Sequence, residues 1–426
     1  MLKVMAGRTI IWLSRLWPER FPSKLLKLSV GLAVVFGSAG ARGGNDSSPA
    51  VIPSENKAAV ALAYQETSFA IVNWSVSIEP QSAAFKKEPA AAAGKVVRGV
   101  LNFGGDSSNS ISFVWQRDAR KLFLDLNRNQ DLTDDAAGTF SSRAEMPLNY
   151  QTFSNVRLPL TTAQGRCQLL ADVNIYDFGA RPNCNLAVRC FWQGKVTLHG
   201  QDWQVGAIPT IWVKKNGSKD VSFENHLLLR PWEKQNQAFS TFSGSLDAVP
   251  FSQKIFFAGH AYQLDWLAAA PSGEVKPNLQ FTEQSVALGD LKITGQFIQR
   301  LILPSGNYLV VLDNPAATVK VPTGSYNQPN IRLEQGGTAA FLNPGQPPSG
   351  NRISVNDKTP AILAAGGPLT NSLTATRHGQ DLRLDYRLVG AGGATYQMVE
   401  QNRAHPPEFA VFKGDKKIAS GNFEFG

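Results

Sequence analysis

Ile111-Ser-Phe-Val-Trp115 and Lys121-Leu-Phe-Leu124 run into Asp125-Leu-Asn-Arg-Asn-Gln-Asp-Leu-Thr-Asp-Asp135, and this stretch decides how the chain is read. Two short apolar runs separated by the polar turn Gln116 to Arg120 predict a β-hairpin. Its second strand delivers Asp125 into a segment with an oxygen-bearing side chain at every second residue. These are Asp125, Asn127, Asn129 and Asp131, followed by Thr133, Asp134 and Asp135. Calcium takes six to eight hard oxygen ligands at about 2.4 Å, and a tightly wound loop of alternating Asp and Asn can supply them. The spacing marks Asp125, Asn127, Asn129, Asp131, Asp134 and Asp135 as candidate calcium ligands. Asp and Asn also favour turns by bonding to their own backbone, so a plain Asx-turn is the competing reading.

The loop resembles the EF-hand and dockerin type of calcium loop over about a dozen residues. Asp125, Asn127 and Asn129 take its first, third and fifth places, Asp131 the seventh, Leu132 the apolar eighth and Thr133 the ninth. The resemblance implies side-chain oxygens from the first three and the backbone carbonyl of Asp131. Two positions depart from it. Gln130 stands where a Gly usually permits the sharp turn, and Ala136 where a bidentate acid normally closes the site. Asp134 or Asp135 would close a slightly shorter loop. A strand, not a helix, leads into it.

Working outward, the same texture fills the chain. Of 426 residues 43% are hydrophobic, and 37 Gly and 25 Pro punctuate short apolar runs. That predicts an all-β fold of two or three antiparallel sandwich-like domains. The expected divisions are a β-rich domain carrying the loop at 57–231, a second sandwich-like domain at 232–343, a linker at 344–352 and a small C-terminal β domain at 353–426. Pro304-Ser-Gly-Asn-Tyr308 is echoed by Pro322-Thr-Gly-Ser-Tyr326. These resemble the Pro-x-Gly-x-Tyr turns of immunoglobulin-like and transthyretin-like domains in secreted bacterial proteins. Pro and Gly make the turn, and the Tyr hydroxyl is free to bond back. Leu384 to Gly390 and Lys413 to Gly421 look like segments of uncharacterised exported bacterial proteins, which implies location and fold only.

The N-terminus predicts export. Basic residues from Lys3 to Lys27 precede the apolar run Leu28 to Phe36 and the small residues Ala39-Gly40-Ala41, as in a cleaved signal peptide over 1–41. The run is short for a membrane span, so no transmembrane segment is expected in the mature chain. Residues 42–56 read as a flexible linker. Removing the leader takes six basic residues and one acid from 42 and 33, which leaves 36 and 32, a net charge of +4. A nucleic-acid partner argued from the high pI therefore fails. In an exported protein Cys167, Cys184 and Cys190 allow one disulfide and an odd thiol, or buried thiols, and their number does not choose.

Enzyme motifs are absent from the sequence. The histidines His199, His226, His260, His378 and His405 are scattered, and His199 and His260 fall at hairpin tips, where a turn role is the default. There is no Gly-x-Ser-x-Gly elbow and no phosphate loop. Trp115, Trp192, Trp203 and Trp212 lie in alternating strands, which favours core positions over sugar-stacking platforms. The expectation is an exported binding or envelope-associated structural protein with a structural calcium site. A cell-surface polysaccharide or a protein is its expected partner. The competing class is a secreted hydrolase acting on polysaccharide through two carboxylates.

Overall fold

A computed structural model describes residues 57–423 apart from 81–84, 91–93, 105–108, 163, 180, 214–218, 240, 242–243, 268–272, 343–351, 379–380, 400–406 and 414. The expected signal peptide, the linker at 42–56 and nearly all of the linker at 344–352 lie outside the described residues. Strand makes up 63% of the structure and helix 3%, so the fold is all-β. Among the described residues no helix is long and apolar enough to cross a membrane.

Two compact units divide the chain. The larger holds Lys57–Pro368 and Gly390–Ala404. The expected boundary at 231/232 falls inside it, because strands from both sides of that point pair with each other. Its first strand shows how. Lys57–Ala61 pairs antiparallel with Asn278–Gln284, and after Leu62 the chain continues as Ala63–Glu66, antiparallel to Cys190–Leu198. One extended segment thus passes from one sheet into another. Gly194 permits the crossing: a Cβ there would lie 2.5 Å from Val60 Cγ2 and 2.9 Å from the Ala61 carbonyl oxygen.

Three sheets carry most of the larger unit. An eight-stranded sheet has the order Thr139–Ser141, Lys121–Leu124, Ser110–Gln116, Val96–Asn102, Val72–Pro80, Asn183–Val188, Gly165–Tyr176, Tyr150–Thr162. A five-stranded sheet runs Ala248–Pro250, His226–Pro231, Gln201–Ala207, Cys190–Leu198, Ala63–Glu66. In a third, Lys57–Ala61, Asn278–Gln284, His260–Leu267, Lys254–Phe257, Leu309–Asp313 and Ile298–Pro304 follow one another. Among the strands just named pairing is antiparallel except where Lys254–Phe257 runs parallel to Leu309–Asp313, and elsewhere Leu288–Ile293 runs parallel to Ala361–Leu363.

Alternation explains the burial. In Gly165–Tyr176 every second side chain from Cys167 to Ile175 is buried, because successive residues of a strand face opposite sides. One core gathers residues from Val60 to Val311, including Trp74, Trp115, Trp192 and Trp203. The expected core role of Trp115, Trp192 and Trp203 therefore holds, with exposures of 0%, 3% and 3%. The Trp212 side chain lies outside the description. Trp115 Nε1 donates to Gln151 Oε1 at 2.8 Å, which satisfies the buried indole. All three cysteines are free and buried, so no bridge forms; they occupy inward positions on three different strands.

The two Pro-x-Gly-x-Tyr turns meet. Ser305 bridges Tyr326, and Asn327 N–H donates to the Pro304 carbonyl at 2.8 Å. The Tyr326 hydroxyl, as expected, donates back to the Pro322 carbonyl.

The smaller unit holds Leu369–Val389 and His405–Gly426. It contains two hairpins, Thr370–His378 with Asp381–Val389 and Glu408–Lys413 with Lys416–Asn422. Tyr386 stacks on Phe423 at 5.1 Å, and Phe409 packs against the same Phe423.

Candidate metal centre

The loop from Asp125 to Gly138 is the connection of a β-hairpin. Lys121–Leu124 enters it, Thr139–Ser141 leaves it, and the two strands pair with Phe123 opposite Thr139. The entering strand is itself the second arm of the hairpin read from sequence, with Phe113 opposite Leu124 and Trp115 opposite Leu122. A short 3₁₀ turn, Ala136–Gly138, brings the exit back to the entrance. Gly138 allows this: a Cβ there would stand 2.2 Å from the Leu124 carbonyl oxygen. The 3₁₀ turn begins directly after Asp135.

Within the loop the backbone winds through two left-handed residues, Arg128 at φ 62° and Gln130 at φ 67°. Gln130 thus adopts the conformation for which glycine is usual at that place. Leu132 is buried with Phe85, Val114 and Phe123, and this anchors the apolar eighth position. Lys86 N–H donates to the Gln130 carbonyl at 2.9 Å and Leu132 N–H to the Lys87 carbonyl at 3.1 Å. This small ladder does not use the Asp131 carbonyl.

Asp125 is 2% exposed, and its Oδ1 and Oδ2 accept the backbone N–H groups of Asn129 and Gln130, each at 3.1 Å. Asn127 Oδ1 accepts Asn129 N–H at 3.0 Å, and Asn129 Oδ1 accepts Asp131 N–H at 2.7 Å. Their amide nitrogens turn to Asp134, Asn127 Nδ2 at 3.1 Å from Oδ1 and Asn129 Nδ2 at 2.6 Å from Oδ2. Asp131 points its side chain elsewhere, accepting from Thr133 and pairing with Lys87 Nζ at 3.1 Å. Thr133, followed by Lys87, holds its carboxyl below the usual range. Hydrogen bonds thus link Asp125, Asn127, Asn129 and Asp134 within the loop, whereas Asp131 turns its side chain to Thr133 and Lys87.

Asp135 joins this web through the backbone of Asn127 and Leu126, but with one oxygen only. Its Oδ2 is buried and has no hydrogen-bond partner. Burial, followed by the charges of Asp125 and Asp134, raises its carboxyl above the usual value. An uncompensated carboxylate oxygen beside two further carboxylates fits a hard cation, and an amide oxygen that already accepts one N–H keeps a second lone pair. A depression of about 370 Å³ opens beside the loop, with Asn127 and Asp135 on its wall together with Arg157 and Gln168.

A second convergence was not legible in the spacing. His199 and His260, read as turn residues, lie together with Glu283, and their ligand atoms fall within 4.8 Å of one another. The only sequence signal was that each histidine abuts a Gly at a hairpin tip. No family model, curated protein or solved structure matches the chain.

Proposed function

We propose that the chain is an exported binding or envelope-associated structural protein whose Asp125–Asp135 loop is fixed by calcium. The observation that carries this reading is the buried, unpartnered Asp135 Oδ2 beside Asp125 and Asp134. Asp125, Asn127 and Asn129 supply side-chain oxygens, Asp131 its carbonyl, and Asp134 or Asp135 the closing carboxylate. Calcium neutralises carboxylates that otherwise repel, and so locks the hairpin connection onto its two strands. Export is supported by the basic leader and its apolar run. The return of the Tyr326 hydroxyl to Pro322 supports an immunoglobulin-like character for the part that carries it. The depression lined by Arg157 and Gln168 beside the loop supports the binding role. Burial of Trp115, Trp192 and Trp203 favours a scaffold over a polysaccharide hydrolase, since buried indoles cannot stack on sugar.

Thermal unfolding of the mature chain in calcium and in chelator tests the reading. Binding to the native state alone stabilises by about 2.7 kcal/mol at a hundredfold excess over Kd. Calcium should raise the melting temperature of the wild type and leave that of Asp125→Ala unmoved. Calorimetry that detects no heat of calcium binding sinks the metal reading.

A further inference from the structure

Two hairpins of the larger unit end in tight turns through left-handed pairs. In Cys190–Leu198 to Gln201–Ala207 the pair is His199 at φ 49° and Gly200 at φ 76°. In Lys254–Phe257 to His260–Leu267 it is Ala258 at φ 52° and Gly259 at φ 83°. Two-residue connections with φ positive at both places match the right-handed twist of the flanking strands, so both tips are held by their own geometry. The first hairpin belongs to the five-stranded sheet and the second to the sheet carrying Asn278–Gln284.

His260 opens its strand opposite Phe257, and Tyr262 two residues on pairs with Glu283. Residues two apart, and residues directly opposite, share a face. His260, Tyr262 and Glu283 therefore stand on one face. Beneath them that face is apolar: Phe257 and Tyr262 are 5.0 Å apart, and Trp203 from the first hairpin packs edge-on against Phe257 at 5.1 Å. His199 completes the group from the neighbouring sheet. Its ring stacks on His260 at 3.5 Å with 8° between planes. Glu283 reaches both, with Oε2 at 3.3 Å from His199 Nε2 and Oε1 at 2.8 Å from His260 Nδ1.

We infer that His199, His260 and Glu283 form a binding site for a divalent late transition metal ion such as zinc, distinct from the calcium loop. Two imidazole nitrogens and one carboxylate suit zinc, nickel and copper, whereas calcium and magnesium require oxygen. Tetrahedral ligation with bonds of about 2.0–2.1 Å places ligand atoms roughly 3.3 Å apart. The three atoms already lie within 4.8 Å, so side-chain rotation alone, without backbone movement, is needed to close the site. An ion lies in the plane of each ring that binds it, so the two stacked rings must splay open around it. His199, His260 and Glu283 remain partly exposed, at 39%, 35% and 25% of their side chains, so solvent reaches the group and completes the coordination with water. Bound metal would clamp the tips of two hairpins from different sheets.

The test is calorimetric titration of zinc into the chelator-treated full chain in excess calcium, which saturates the proposed Asp125–Asp135 site without supplying zinc. Variants are His199→Asn, chosen because Asn tolerates left-handed backbone, His260→Gln and Glu283→Gln. One equivalent should bind the wild type and raise its melting temperature. Each variant should weaken binding by at least about tenfold, the lower end of what loss of even a ligand's supporting partner causes. Asp125→Ala should keep zinc binding intact, which separates this site from the loop. Copper bound in place of zinc should show two coupled nitrogens by electron paramagnetic resonance, and one in His260→Gln. Absence of zinc heat in the wild type, or binding undiminished in His199→Asn and His260→Gln, overturns the proposal.

Discussion

Arg230 and Arg300, both fully buried, face the two oxygens of one carboxylate. Arg230 Nη1 donates to Asp247 Oδ2 at 3.2 Å, and Arg300 Nη1 stands 3.9 Å from Asp247 Oδ1 and donates to Asp313 Oδ1 at 2.9 Å. Arg230 also donates to Gln204 Oε1 at 2.6 Å and to the carbonyls of Gln235 and Gln237. Arg300 reaches the Leu229 carbonyl. Two cations and two carboxylates thus balance inside the larger unit, across strands of two sheets. Burial pulls the Arg230 guanidinium below its usual pKa, and Asp247 opposes this.

Asp247→Ala leaves the buried Arg230 guanidinium without its carboxylate, while Arg300 keeps Asp313. Breaking a buried pair in this way costs about 3–5 kcal/mol. Chemical denaturation should show that loss in the midpoint at constant slope. A loss below about 1 kcal/mol, the range of exposed pairs, would mean that the network is solvated in solution.

Asp135→Asn should act in opposite directions with and without calcium. A carboxyl whose folded pKa is raised contributes stability that is full below its unfolded value, about 3.9, and is lost as pH rises through the folded pKa. Near neutral pH in chelator the wild-type carboxylate therefore carries a penalty that Asn removes, and the variant should melt higher. In calcium the wild type should regain the lead. A variant that melts lower than wild type in chelator at neutral pH would contradict the repulsion among Asp125, Asp134 and Asp135.

Gln130→Gly replaces a left-handed non-glycine residue at φ 67°. The strain removed is of order 1–3 kcal/mol, and the extra freedom of the unfolded chain returns about 0.5–1 kcal/mol of it. A gain of roughly 1 kcal/mol in unfolding free energy is expected, together with unimpaired calcium response. The carbonyl of residue 130 still accepts Lys86 N–H, so only the side chain is lost.

The cysteines should be silent in the folded protein. Burial pushes the thiols of Cys167 and Cys184 up to about 12 and that of Cys190 to about 11. With a pKa of about 11, roughly one thiol in a thousand is ionised at pH 8, and the thiolate is the reactive form. A colorimetric thiol reagent should count three groups in denaturant and fewer than one in buffer. Rapid native labelling would show that these strands open on the assay timescale.

Much of the fold could be read from alternation, because a strand with one buried face writes its period into the residues. The hairpin of Ser110–Gln116 and Lys121–Leu124 and the burial of Trp115, Trp192 and Trp203 follow from that period. So does the place of the loop between Leu124 and Thr139, whose candidate ligands are neighbours in sequence. What escaped was what strand pairing assembles from distant places. His199 meets His260 and Glu283 only because two sheets bring their tips together, and spacing along the chain carries no trace of it. Arg230 within Leu-Leu-Leu-Arg-Pro and Arg300 within Ile-Gln-Arg-Leu-Ile-Leu were visible as lone charges in apolar runs, but their shared carboxylate was not. The domain boundary drawn at 231/232 had the same cause, since composition does not reveal that Lys57–Ala61 pairs with Asn278–Gln284.

That last pairing sets the timing of assembly. A growing chain exposes Lys57–Ala61 early, yet its partner strand ends at Gln284, so this strand leaves the ribosome long before its partner exists to receive it. Contacts so distant in sequence fold slowly, since the closure of a long loop precedes any reward. Until the second half emerges, the nascent segment is an unpaired strand, open to chaperones and to its own neighbours. The larger unit therefore completes itself only after synthesis has passed the middle of the chain.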